Sequence, residues 1–135
     1  MNDSAPRRVL LVAAEETLRV AIGRMLRGCG HEVELARDAR DALRHARALD
    51  FDLVLIFYRL PGLDGPSLHH ALRVHAPSLA RRVAFISRLD PDAPPLRSFQ
   101  ERSGCRVIQW PFDIHRLDRF VREQHPGQFR PTHSA

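Results

Sequence analysis

The sequence predicts an α/β fold in which helices cover both faces of a parallel sheet. Three observations predict it. Two short segments, RVLLV from Arg8 to Val12 and LVLIF from Leu53 to Phe57, are continuous apolar runs, the pattern of strands buried on both faces. The stretches between strand candidates place their apolar residues on one side at helical spacing. The two kinds of segment alternate five times along the chain, which implies parallel strands joined by right-handed crossovers.

Each element has its own local signal. After the first strand, Glu16 to Arg27 carries Leu18, Ile22, Met25 and Leu26 on one helical face, and Gly28 and Gly30 supply the left-handed positions that stop it. Glu32 to Ala36 (EVELA) alternates like an edge strand. Asp38 is placed to cap the next helix, Asp41 sits in its first turn, and Ala42, Leu43, Ala46 and Leu49 form its inner stripe. Leu60 to Pro66 (LPGLDGP) is turn chemistry. Ser67 to His75 then reads as a short helix with Leu68, Ala71 and Leu72 inward, and Arg82 to Ile86 as the fourth strand. A Pro-rich loop (Asp90 to Pro95) precedes a helix from about Leu96 to Ser103, Arg106 to Gln109 is a short fifth strand, and Pro111 breaks the chain. The last helix, Asp113 to Gln124, faces inward through Ile114, Leu117, Phe120 and Val121. The remaining residues, His125 to Ala135, have no periodicity and read as a tail or linker.

Composition narrows the function. A chain of 135 residues fits one domain. Its longest apolar run, Leu53 to Tyr58, falls far short of the roughly 18 residues that cross a bilayer. The polar N-terminus carries no secretory signal, and Cys29 and Cys105 form no CxxC motif, so a reduced cytoplasmic setting is expected. All 21 basic residues are arginine, which removes phosphate-loop, Schiff-base and general-base lysine chemistry at once. The net charge of +5 points to an acidic partner. Direct nucleic-acid binding is not expected, because the arginines are dispersed and have few aromatic neighbours.

The stretches FDLVLIFYRLPGLDG (Phe51 to Gly65) and WPFD (Trp110 to Asp113), together with RVLLV and GHEVELARDARDAL, resemble the receiver domain of bacterial response regulators, of the chemotaxis-regulator kind. The resemblance runs over residues 8–124, leaving tails at 1–7 and 125–135. It implies a flavodoxin-like (βα)5 fold with strand order 2-1-3-4-5 and a role in two-component, phosphorelay signalling. It also implies a site: two acidic residues after the first strand, an aspartate on the third that accepts a phosphoryl group, a hydroxyl after the fourth, and a lysine before a cis proline after the fifth. A hard divalent cation bound among such carboxylates would neutralise the transferred group.

On this chain the acidic pair falls on Ala13 and Ala14, the phosphoacceptor on Phe57 and the lysine on Trp110. Ser87 retains the hydroxyl and Pro111 is the cis-proline candidate, while Val107 stands where the family has an aromatic switch residue. The expectation is an atypical receiver with no phosphorylation, no bound Mg2+, no cofactor and no enzymatic activity. Two residues shrink and two grow, so Phe57, Trp110, Ala13 and Ala14 are expected to form an apolar plug that conserves packed volume. A register shifted toward Asp52 or Asp64 is the competing placement of the acceptor.

The family's output and dimerisation face, formed by the fourth helix, fifth strand and fifth helix, would carry Arg97, Arg102, Arg106, Arg116, Arg119 and Arg122. It suits an acidic protein partner or a homodimer. Tyr58, Arg59 and Arg88 are candidate contacts at the pocket rim. Two other readings stay open: a module regulated by a small ligand at the remodelled pocket, and the regulatory domain of a DNA-binding transcriptional regulator. Eight histidines suggest no metal site, since His69, His70 and His75 lack zinc-ligand spacing and are expected to be solvated.

Overall fold

Five parallel strands form the sheet, in the order β2-β1-β3-β4-β5. A computed structural model describes residues 5–60 and 64–124. The strands are β1 (Arg8–Val12), β2 (Glu32–Ala36), β3 (Leu53–Phe57), β4 (Val83–Ser87) and β5 (Val107–Gln109). The helices are α1 (Glu16–Gly28), α2 (Ala39–Ala48), α3 (Gly65–His75), α4 (Pro77–Ala80), α5 (Pro94–Ser103) and α6 (Ile114–Glu123). The expected C-terminal tail at 125–135 lies outside the described residues. No helix among the described residues is long and apolar enough to cross a membrane.

Register explains the burial. Val9 to Val12 of β1 pair with Leu53 to Ile56 of β3, and Val54 to Phe57 pair with Val83 to Ile86 of β4. The result is a central belt of apolar side chains, with β3 and β4 buried along their whole length. The crossovers leave α1 and α6 on one face, where they touch, and the other helices on the opposite face. There His69 and Tyr58 each stand edge-on to Phe85 at 6.2 and 6.0 Å, and Phe99 lies 5.0 Å from Phe85.

Several boundaries differ from the sequence expectation. Gly28 is still helical, and only Gly30 takes the left-handed conformation, at φ 93°. The α3 helix begins two residues early because the Asp64 carboxylate accepts the Ser67 N–H at 2.8 Å. The one-turn helix α4 was not anticipated, since Pro77 to Ala80 is too short for a periodic signal. Leu49 and Ile114, expected inward, are each more than a third exposed. Leu49 already lies outside α2, and Ile114 is the first residue of α6.

The residues just ahead of β1, Ala5 to Arg7, are bonded to the fold. Arg7 is buried, and its backbone N–H donates to His31 Nδ1 at 3.0 Å. The opposite ring nitrogen, Nε2, lies 2.9 Å from the Asp118 carboxylate on α6. Asp118 also receives the Arg122 guanidinium at 3.0 Å. Burial pushes the Asp118 carboxyl upward, but the hydrogen bonds from His31 and Arg122 outweigh it and hold the group below the usual carboxylate range.

Two measurements check this packing. A Cβ on Gly65 would lie 2.7 Å from the Phe57 carbonyl and 2.9 Å from the Tyr58 carbonyl, whereas one on Gly28 would make only an ordinary contact with Ile114. In urea unfolding, Gly65→Ala is expected to cost about 1–3 kcal/mol, and Gly28→Ala to be neutral or to stabilise by up to about 1 kcal/mol. Asp118→Asn is expected to cost about 1–3 kcal/mol at neutral pH, through its lost charged hydrogen bonds. A depressed carboxylate stabilises above its unfolded pKa and loses that contribution as pH falls through its folded pKa. The unfolding midpoints of wild type and Asp118→Asn should therefore converge on acidification.

Candidate functional site

The carboxyl ends of β1, β3 and β4 open on one cleft, the position at which open α/β sheets bind ligands. Backbone bonds fix its edges. Ala13 N–H donates to the Ala36 carbonyl at 3.0 Å, Tyr58 N–H to Ile86 at 2.8 Å, and Trp110 N–H to Ser87 at 2.8 Å. The Arg19 guanidinium reaches forward from α1 and donates to the carbonyls of Ala13 and Ala14, at 2.9 and 3.2 Å.

The cleft encloses about 460 Å³. Ala13, Phe57, Ile86 and Ser87 line it and are buried, and Ala14 is exposed at its edge. Leu18 and Leu89 form apolar sides, while Glu15, Arg59 and Arg88 supply the charge. Arg88 pairs with Glu15 at 3.2 Å, both well exposed. Ser87 Oγ accepts the Leu89 N–H at 3.0 Å, and Gln109 Nε2 donates to the Arg88 carbonyl at 3.1 Å. Tyr58 is half-buried and its ring meets Phe99 edge-on at 5.2 Å, so it belongs partly to the aromatic cluster beneath α5.

Trp110 does not line this cleft. It packs edge-on against Phe112 at 4.9 Å, next to the cis Trp110–Pro111 bond. The expected plug of Phe57, Trp110, Ala13 and Ala14 is therefore not assembled. Phe57 lines the cleft, whereas the Trp110 ring packs on Phe112 and is not among the lining residues. Asp52 lies at the opposite end of β3, accepting the Arg8 N–H at 2.8 Å, and Asp64 caps α3.

The arginines separate into two groups. Arg97, Arg102, Arg116 and Arg119 are exposed on α5 and α6. Arg106 is exposed but engaged, pairing with Glu123 at 3.2 Å and lying 5.2 Å over the Phe120 ring. Arg122 is half-buried and holds Asp118, the Ala5 carbonyl at 3.1 Å and the Cys29 carbonyl at 3.4 Å. Its guanidinium is spent on joining α6 to Cys29 at the end of α1 and to Ala5 ahead of β1, which removes it from the expected partner-binding set.

The histidine expectation also needs correction. His69 is buried, with Nε2 2.9 Å from the Ala80 carbonyl and the Cys105 sulfur 3.7 Å away. Burial lowers the His69 pKa and raises that of the Cys105 thiol. Among the described residues no three His, Cys, Asp or Glu side chains come together as metal ligands. Sequence reasoning missed His31, whose only local signal is its place between a glycine turn and a strand.

A family model for the response regulator receiver domain matches residues 9–122. The chain belongs to the response regulator receiver family. Among curated relatives, the receiver is 37% identical over 118 residues to the sensor histidine kinase AruS of Pseudomonas aeruginosa, covering 85% of this chain and 12% of that one. It is 32% identical over 111 residues to the transcriptional activator protein PfeR of the same organism, covering 82% and 35%. A gliding motility regulatory protein of Myxococcus xanthus matches at 36% over 79 residues, 58% of this chain and 10% of that one. The receiver thus spans about a third or less of these relatives.

Among solved structures, the receiver domain of a Pseudomonas aeruginosa sensor histidine kinase, with magnesium coordinated in its active-site cleft, aligns at TM-score 0.72 and 29% identity. That alignment covers 91% of this chain and 99% of that one. The chemotaxis protein CheY4 of Vibrio cholerae aligns at TM-score 0.78 over 88% and 98% of the two chains, and at 23% identity supports the fold alone. The receiver is thus a module of two-component signalling, a class that works through protein partners.

Proposed function

We propose that this receiver signals by contact with a protein partner and without a phosphorylation step. One observation carries the reading: Phe57 occupies the last position of β3, where the family resemblance puts the acceptor carboxylate, and a phenyl ring has no oxygen to phosphorylate. The neighbouring chemistry agrees. Magnesium demands a near-octahedral set of oxygen ligands. The carbonyls of Ala13 and Ala14 are committed to Arg19, and the Ser87 hydroxyl accepts from Leu89. Glu15, the one carboxylate lining the cleft among the described residues, pairs with Arg88. These residues do not fit a divalent cation.

The partner face is α5, β5 and α6. Arg97, Arg102, Arg116 and Arg119 present guanidiniums suited to bidentate recognition of carboxylates, which favours an acidic partner. A two-fold homodimer through this face would set the same arginines against their own copies. The similarity to PfeR supports a second reading, in which this module regulates a transcription-controlling domain.

Incubation with acetyl phosphate and magnesium, followed by intact-mass spectrometry, tests the proposal. The expected result is an unmodified chain, and a gain of roughly 80 Da, one phosphoryl group, rejects it. Charge reversal at Arg97, Arg102, Arg116 and Arg119 together is expected to weaken partner capture in a pull-down and leave the unfolding midpoint nearly unchanged.

A further inference from the structure

We propose that the cleft at the carboxyl ends of β1, β3 and β4 binds a small organic acid, its apolar body on the floor and its single carboxylate at the arginine rim. The inference rests on reading this end of the sheet as free of phosphoryl chemistry, and it supplies the occupant that reading leaves out.

The space is of the right kind. About 460 Å³ lies within the roughly 300–1,000 Å³ of small-molecule sites. Ala13, Phe57 and Ile86 make a buried floor with no polar side-chain atom. Leu89, a large apolar residue 44% exposed, stands at the side of the same space. An apolar body seated there covers surface that otherwise faces water, which is the driving force for entry.

The polar groups select the other end of the ligand. Two arginines, Arg59 and Arg88, and one glutamate, Glu15, line the rim, so among the described lining residues positive charge exceeds negative by one. Among the described residues Arg59 has no ion-pair partner, and the Arg88–Glu15 pair is 61% exposed on each side. A pair this exposed is weak, because water screens it and holding two long side chains together costs entropy, so an incoming carboxylate displaces Glu15 easily. Ser87 Oγ accepts from Leu89 and keeps its own proton to donate.

The walls are fixed in advance. Arg19 ties down the β1–α1 loop through Ala13 and Ala14, and Gln109 holds the Arg88 backbone. Preorganisation of this sort lowers the entropic cost of binding. One excess charge, an apolar floor and a lone hydroxyl match a monocarboxylate, and they match neither a phosphate nor a metal complex.

Amide NMR on the isotope-labelled full chain tests this with phenylacetate and isocaproate as acids, phenylacetamide as the neutral isostere, and inorganic phosphate as an anion with no apolar body. The expected result is saturable shifts at Ala13, Ala14, Phe57 and Arg88 with at least one acid, and binding at least about tenfold weaker for the amide and for phosphate. Ala14→Phe, at an exposed edge position, should abolish binding. Arg59→Gln with Arg88→Gln should reduce the acid to the affinity of the amide. Failure of both acids to saturate, shifts scattered away from the cleft, equal binding of acid and amide, or unchanged affinity in Ala14→Phe would each overturn the inference. Magnesium added to a separate sample reads the underlying assignment. Shifts at these amides with magnesium overturn that reading, whereas silence with magnesium and with both acids overturns only the acid site.

Discussion

The burial of β3 is the constraint from which the rest of the molecule follows. Leu53 to Ile56 are wholly inaccessible and Phe57 is 9% exposed, because β1 pairs on one side, β4 on the other, and helices close both faces. A strand so placed must satisfy its backbone through the ladder and tolerates polar side chains only where they find partners. This strand is apolar to its last residue. Its end is therefore a surface of packing and cavity, and the charge at this end of the sheet sits on the loops around it.

That arrangement also governs how the flanking elements are held. Gly65 lets α3 begin against the carbonyls of Phe57 and Tyr58, which brings the helix close over the end of β3. On the other face, His31, Asp118 and Arg122 lock α6 to α1 and to Arg7. Exposed Arg116 and Arg119 thus stand on a helix fastened to the fold from its other side, and none of the exposed arginines of α5 and α6 lines the cleft.

The alternating architecture was legible in the sequence because it rests on local patterns: the apolar runs of β1 and β3, the Asp38 cap of α2, the single-sided helices. The residues around the cleft were placed by the family resemblance, and Ala13, Ala14, Phe57 and Ser87 do line one cleft at the carboxyl end of the sheet. What escaped were contacts between distant segments. Nothing local separates Arg122, which reaches Ala5 and Cys29, from solvated Arg116 and Arg119. Nothing local marks His31 and His69 as buried while His70 stays in water. Trp110 was placed at the family's lysine position by the resemblance and expected to fill the cleft on grounds of volume, but its ring packs against Phe112, two residues on.

If the end of β3 is built to pack and not to carry charge, a carboxylate at Phe57 destabilises the fold. Urea unfolding of Phe57→Asp, with and without millimolar magnesium, tests it most directly. The expected result is a loss of more than about 1 kcal/mol, from a forfeited apolar contact and a poorly solvated carboxylate, that magnesium does not restore. Stability equal to wild type, or recovered on adding magnesium, would contradict it and show that the site still accommodates an acidic, metal-binding centre.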